Sequence, residues 1–194
     1  MSRTEDDSKK EEYEYVKVVG NNVYFYVEVD DETVQDLNTC LVKLDREMRK
    51  QYIDWGMEGL PTINIFIQSP GGDLFAGLSA HDHISALKCN TVTIADGQCA
   101  SAAAIMFLAG KKRLIAKNGY IMIHQLSTDM WGKFEDIKDE LRNCNMFMEN
   151  IRQICNEKTQ LPERKLKRLL KHDLFMTQEK CIKYGVADGV FPCL

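Results

Sequence analysis

The chain has 194 residues, 44% hydrophobic and 28% charged, the balance of one globular domain with room for one sizeable core. Its formal net charge of -4 argues against a nucleic-acid binder held by a general basic field. No apolar run is long enough to span a bilayer, and the leading MSRTEDDSKKEEYEY has no apolar signal-peptide stretch. A cytoplasmic protein with no nucleic acid and no membrane among its partners is the expectation.

Residues 1–22 read as a charged N-terminal segment, mobile over its first dozen positions, and 23–194 as one domain. VYFYVEV (23–29) is a β-rich run. Asp30-Asp31 then opens a helical pattern, with Val34, Leu37, Leu41 and Leu44 at helical spacing. Residues 46–61 read as a helix end and a surface loop. TINIFIQ (62–68) is a buried strand, followed by the turn SPGG and a helix over about 74–88. TVTIAD (91–96) is a second strand, leading through GQCAS into an apolar helix. RLIA, a Lys-Asn-Gly turn and the strand YIMIHQ (120–125) follow. Strand–turn–helix units in series predict an α/β fold with parallel strands joined by right-handed crossovers.

Residues 133–158 predict a long helix. Phe134, Ile137, Leu141, Cys144, Met148, Ile151 and Cys155 alternate spacings of three and four, a heptad-like stripe. About 25 helical residues extend roughly 37 Å, more than a domain of this size needs for its own core. The pattern alone fits a core helix and a helix that packs on another subunit equally well. The seven cysteines are odd in number and contain no C-x-x-C, which disfavours a disulfide framework and a structural zinc site and fits free, buried thiols. No metal and no cofactor are expected.

Open α/β sheets place ligands at the carboxyl ends of their strands. Three predicted strands end there in features with chemistry: Gly71-Gly72, Ser101 and His124. Glycines let backbone N–H groups approach a site, although a plain tight turn would look the same. Ser101, among small residues at a helix start, can be a nucleophile with the Ala102 N–H as an oxyanion donor, or merely a helix cap. His124 can be its base, or a satisfied strand-end histidine. Cys99 is a rival nucleophile. His81 and His83 share no helix face well, and His172 sits in a charged helix end. Composition does not choose among Asp96, Asp129, Asp136, Asp173 and Asp188 for a third member.

Taken together, SPGG, GQCASAAA, MIHQ and HDLFMTQEKCIKYGVADGV resemble the motif series of the Clp protease proteolytic subunit (ClpP) family, in its order and near its spacings, over about 23–190. The resemblance implies a serine endopeptidase with Ser101 as nucleophile, His124 as base and Asp173 as the acid that orients it. It implies backbone N–H groups of Gly72 and Ala102 as the oxyanion hole. It also implies the spiral ββα fold shared with crotonases, a handle helix at about 133–158, and a homo-oligomer of two stacked seven-membered rings around a chamber where polypeptide substrates are cut.

The departures are specific. The family's H-Q-P is His124-Gln125-Leu126, and its following Gly-Gly is Thr128-Asp129, in the strand that lines substrate. The arginine before the third triad residue is His172. Three aromatic positions of the pocket that receives a Clp-type AAA+ unfoldase fall at Asn64, Phe66 and Ala86, so that docking surface is expected to be degraded. A catalytically silent ring subunit, an unfoldase-independent maturation protease and a crotonase-type acyl-CoA enzyme are the competing readings.

Overall fold

The structure is a computed structural model that describes residues 13–192. One twisted sheet carries the chain in the order β1 (Val16–Val19), β2 (Asn22–Phe25), β3 (Thr62–Ser69), β4 (Asn90–Ala100), β5 (Lys112–Ile115) and β8 (Gly189–Val190). The β2–β3, β3–β4, β4–β5 and β5–β8 pairings are parallel, as the serial strand–helix pattern predicts for an α/β fold. β6 (Tyr120–Met122) pairs in parallel with the last residues of β4, and β7 (Met176–Thr177) closes on β6 antiparallel. No helix among the described residues is long and apolar enough to cross a membrane.

The N-terminal reading needs revision in part. Residues 16–19 belong to the sheet: VKVV pairs antiparallel with β2 across a turn at Gly20, and Val16 is buried. Residues 1–12 lie outside the described region. The first helix, α1 (Asp31–Asp54), starts where the sequence places it, with Asp30 as N-cap in a capping box with Thr33. It runs eight residues past Arg46, which the sequence reading gave to a helix end and loop. Asp45 explains the continuation: it is buried, accepts a hydrogen bond from the Cys89 N–H at 2.7 Å and pairs with Arg49 one turn on.

The core lies between the sheet and α1, α2 (Leu74–Ala86) and α3 (Ala102–Leu108). Ile63, Ile65 and Ile67 of β3 and every residue of α3 are buried. The alanines of α3 have a packing reason. A Cβ on Gly77 of α2 would stand 2.8 Å from the Ala102 Cβ, so the two helices meet at van der Waals limits that a larger residue would break.

The long helix is α4 (Phe134–Lys158), within a residue of the predicted span. Its stripe divides. Ile151 and Cys155 are buried in the chain's own core and Met148 packs on it, Cys144 is buried beside them, and Phe134, Ile137 and Leu141 are exposed. The core reading therefore fits the C-terminal half of the helix, and the N-terminal half presents an exposed apolar row. Short helices α5 (Glu163–Leu169) and α6 (Gln178–Lys183) complete the chain. All six described cysteines are free and buried, and Cys193 lies outside the described residues.

Candidate active site

Ser101 is the single residue between β4 and α3. Its backbone sits at φ 56° and ψ -124°, and among the described residues no other non-glycine has positive φ. These are the angles of the first central position of a II′ turn, which a Cβ opposes. The surroundings hold it there. The Ser101 N–H donates to Met122 O at 2.9 Å, and its carbonyl accepts from Ala104 N at 3.0 Å as α3 begins. The hydroxyl makes no helix-capping bond, so the capping explanation for this serine does not apply.

The hydroxyl instead meets His124, whose Nε2 lies 2.8 Å from Ser101 Oγ. His124 follows β6 by two residues, and the next residue is anchored by Gln125 N donating to Leu170 O at 2.7 Å. That bond ties the strand end to the end of α5 and brings the following turn within reach. There Asp173 Oδ1 stands 2.7 Å from His124 Nδ1. The histidine side chain is 20% exposed and the aspartate 75%.

The other aspartates are engaged elsewhere. Asp96 accepts from the Tyr26 hydroxyl, Asp136 caps α4 through Lys133 N, and Asp188 pairs with Arg113. Asp129 makes no hydrogen bond or ion pair with His124 among the described residues. His81 sits against Asp82, and His83 against the Ser79 carbonyl. Cys99 is fully buried, burial pushes its thiol well above the ordinary range, and its Sγ lies against Ala103 O. A thiol in that state is no nucleophile at neutral pH.

Gly71 and Gly72 form the facing wall. Gly71 has φ 98°, and a Cβ there would lie 2.6 Å from Ser101 Cβ and 2.7 Å from Ala100 O. Gly72 has φ 148°, and a Cβ would meet Val29 O at 2.1 Å. The close approach to Ser101 and to Val29 is what the two glycines permit. Among the described residues, neither the Gly72 nor the Ala102 N–H takes part in a turn, cap or side-chain hydrogen bond.

A cavity of about 360 Å³ opens on Gly72, Ser101, Ala102 and His124. Its far wall comes from α4, including Glu140, Cys144 and Phe147. Sequence reasoning had assigned Cys144 only to a packing stripe and passed over Glu140. The available signal was helical spacing: Glu140 lies four residues before Cys144 and shares its face. Ser127 and Thr128 line the cavity as irregular backbone and not as the expected strand. A larger groove, about 1150 Å³ between β1, β2 and α1, contains none of these residues.

A serine, a histidine and an aspartate in this order of contact, beside two free N–H groups, form a set able to attack a carbonyl and move the proton released. The Clp protease family model matches residues 8–192. The chain belongs to the Clp protease family. A curated ATP-dependent Clp protease proteolytic subunit from Deinococcus radiodurans is 33% identical over 130 residues, which is 66% of this chain and 64% of that protein. The match thus spans a little under two thirds of that relative. A solved ClpP1 point mutant from Listeria monocytogenes superposes with a TM-score of 0.76 over 90% of this chain and 92% of its own, at 24% identity, a likeness of fold.

Within this Clp protease fold, the three expected docking positions have separate settings. Asn64 donates from its side-chain amide to Asn22, and Ala86 ends α2 in the open. Phe66 is stacked on Tyr24 at 4.8 Å and meets Phe191 edge-on at 5.3 Å. Phe66 is itself buried, and the partly exposed aromatic side chains here are Tyr24 and Phe191, which the motif alignment does not mark.

Proposed function

We propose that this chain is a serine endopeptidase subunit in which Ser101 attacks the peptide carbonyl and His124 takes its proton. The observation that carries this reading is the continuous contact from Ser101 Oγ through His124 to Asp173, built from three separate segments of the chain. Asp173 accepts from the His124 Nδ1–H and so leaves Nε2 as the basic nitrogen facing the hydroxyl. The N–H groups of Gly72 and Ala102 receive the oxyanion, and the positive φ of Ser101 aims its hydroxyl between them. His124 then gives its proton to the leaving amine, and water repeats the sequence on the acyl-enzyme. The steps need no metal and no cofactor.

Unfolded or small polypeptides are the substrates, cut inside a chamber formed by copies of this chain. The exposed Phe134, Ile137 and Leu141 on α4 support a subunit contact there, since exposed apolar rows mark interfaces. Two stacked heptameric rings in the cytoplasm are the arrangement this reading takes from its family. A Clp-type AAA+ unfoldase would dock against the Tyr24–Phe66–Phe191 cluster with altered strength.

Labelling with a fluorophosphonate, read by intact mass alongside particle size, tests the reading. One label on Ser101 of a large assembly, absent in Ser101→Ala, is the expected result. An assembled protein that takes no label is a silent ring subunit. Labelling that survives Ser101→Ala and vanishes in Cys99→Ala would move the nucleophile.

A further inference from the structure

The cavity beside Ser101 has an uneven chemistry. Its walls are apolar: Leu74, Ile105, Ile123 and Ile151 line it, and Phe75 and Phe147 meet edge-on at 5.1 Å on one side. Two carboxylates, Asp73 and Glu140, also line it, and no lysine or arginine does. Asp73 is committed, because its Oδ1 accepts the Ala76 N–H at 2.8 Å as the cap of α2. Glu140 is not.

The contrast along α4 is informative. Glu135, Asp139 and Glu149 each pair with a base three residues on, Lys138, Arg142 and Arg152. Glu140 has Asp136 and Ile137 on the preceding turn and Asn143 and Cys144 on the next. Its carboxylate accepts only a long hydrogen bond, from the Cys144 Sγ at 3.9 Å, among the described residues. It is half-buried and carries no counter-ion among the described residues.

We infer that this cavity selects a lysine or arginine side chain on the residue whose carbonyl Ser101 attacks, with Glu140 as the specificity determinant; the inference rests on the peptidase reading above. A substrate whose carbonyl oxygen lies at the Gly72 and Ala102 N–H groups carries its own side chain on the adjacent Cα, beside the cavity that these residues line. An acidic side chain would meet two carboxylates. An aliphatic one would cover Glu140 and leave its charge desolvated without a partner. A basic side chain satisfies both parts, because its methylene stem lies along the apolar wall while its charged head reaches the carboxylate. The exposed Phe75 ring adds a face on which a cation can rest.

The test uses the full chain in its assembled form and fluorogenic peptides that differ only at that residue, carrying Lys, Arg, Leu, Phe or Glu. Fluorophosphonate labelling of Ser101 is run in parallel. The expected result is a kcat/KM for Lys and Arg at least tenfold above Leu, with Glu lowest. Glu140→Gln should lower the Lys-to-Leu ratio by tenfold or more, and Glu140→Asp should restore part of it. A preference for Leu or Phe in the unmutated protein, or a ratio unmoved by Glu140→Gln, overturns the inference while labelling of Ser101 leaves the peptidase reading intact. Absence of both labelling and cleavage overturns the peptidase reading and this inference with it.

Discussion

The backbone of Ser101 allows a stability measurement that does not depend on catalysis. Ser101→Ala and Ser101→Gly both remove the hydroxyl and its 2.8 Å contact with His124, so that loss cancels between them. What differs is the Cβ at φ 56°. A non-glycine residue held in such a region costs about 1–3 kcal/mol. Glycine relieves that cost but adds freedom to the unfolded chain, worth about 0.4–1 kcal/mol in the other direction. The net expectation is a glycine variant more stable than the alanine variant by about 1 kcal/mol. For a chain of this length that is a rise in Tm of roughly 2–4 °C. Thermal unfolding at matched protein concentration, followed by the helical circular dichroism, reads the difference. Concentration must be held fixed because self-association, where it occurs, adds stability by mass action. A glycine variant that melts below the alanine variant would show that the turn stores no strain and that the Ser101 geometry has another cause.

Three further outcomes are expected. Asp173→Asn should preserve particle size and lower kcat by up to about 10⁴-fold, because the amide favours the wrong imidazole tautomer; a larger loss in Asp129→Asn would transfer the third role there. Ile137→Glu with Leu141→Glu should reduce the assembly to smaller species on size-exclusion with light scattering while leaving the helical circular dichroism intact, since both side chains are 40% or more exposed in the single chain; an unchanged particle would place the subunit contact elsewhere. Asp45→Asn should cost about 2 kcal/mol near neutral pH. Burial alone would raise the Asp45 carboxyl, but the Cys89 N–H and Arg49 hold it below its ordinary value. A depressed carboxylate gives stability that is present above its unfolded pKa and lost as pH falls through the folded one. The gap between Asp45→Asn and the unmutated protein should therefore close below about pH 4 in denaturant titrations, and a gap constant with pH would mean that the carboxylate charge contributes nothing.

Much of the fold was legible because its signals are local. β3 is a run of alternate isoleucines between a proline and SPGG, and its residues pair with β2 and β4 in one continuous register up to Ile67. The start of α1 was written in Asp30 and Thr33, which cap each other across three residues. What was missed depends on partners far along the chain. Asp45 looks like a surface charge near a helix end until Cys89, 44 residues on, supplies the N–H that fixes it. Val16 reads as part of a charged leader until β2 gives it a neighbour to pair with. The exposed and buried halves of the α4 stripe have the same spacing, and only the position of α4 over the core separates them.

The site divides in the same way. Gly71-Gly72, Ser101 and His124 announce themselves because each follows the end of a strand, and a parallel sheet brings strand ends to one edge. Asp173 does not announce itself. Five aspartates were equivalent in composition, and the choice is made by one backbone bond, from Gln125 N to Leu170 O, that carries the end of α5 to the end of β6. Glu140 was less visible still, because an acidic residue on a charged helix is ordinarily solvated. It is set apart by what its neighbours lack, a base at either helical spacing, and by the cavity its face borders. Ser101, His124 and their glycine wall thus follow from local sequence, while the placement of Asp173 and Glu140 beside them follows from how distant segments are brought together.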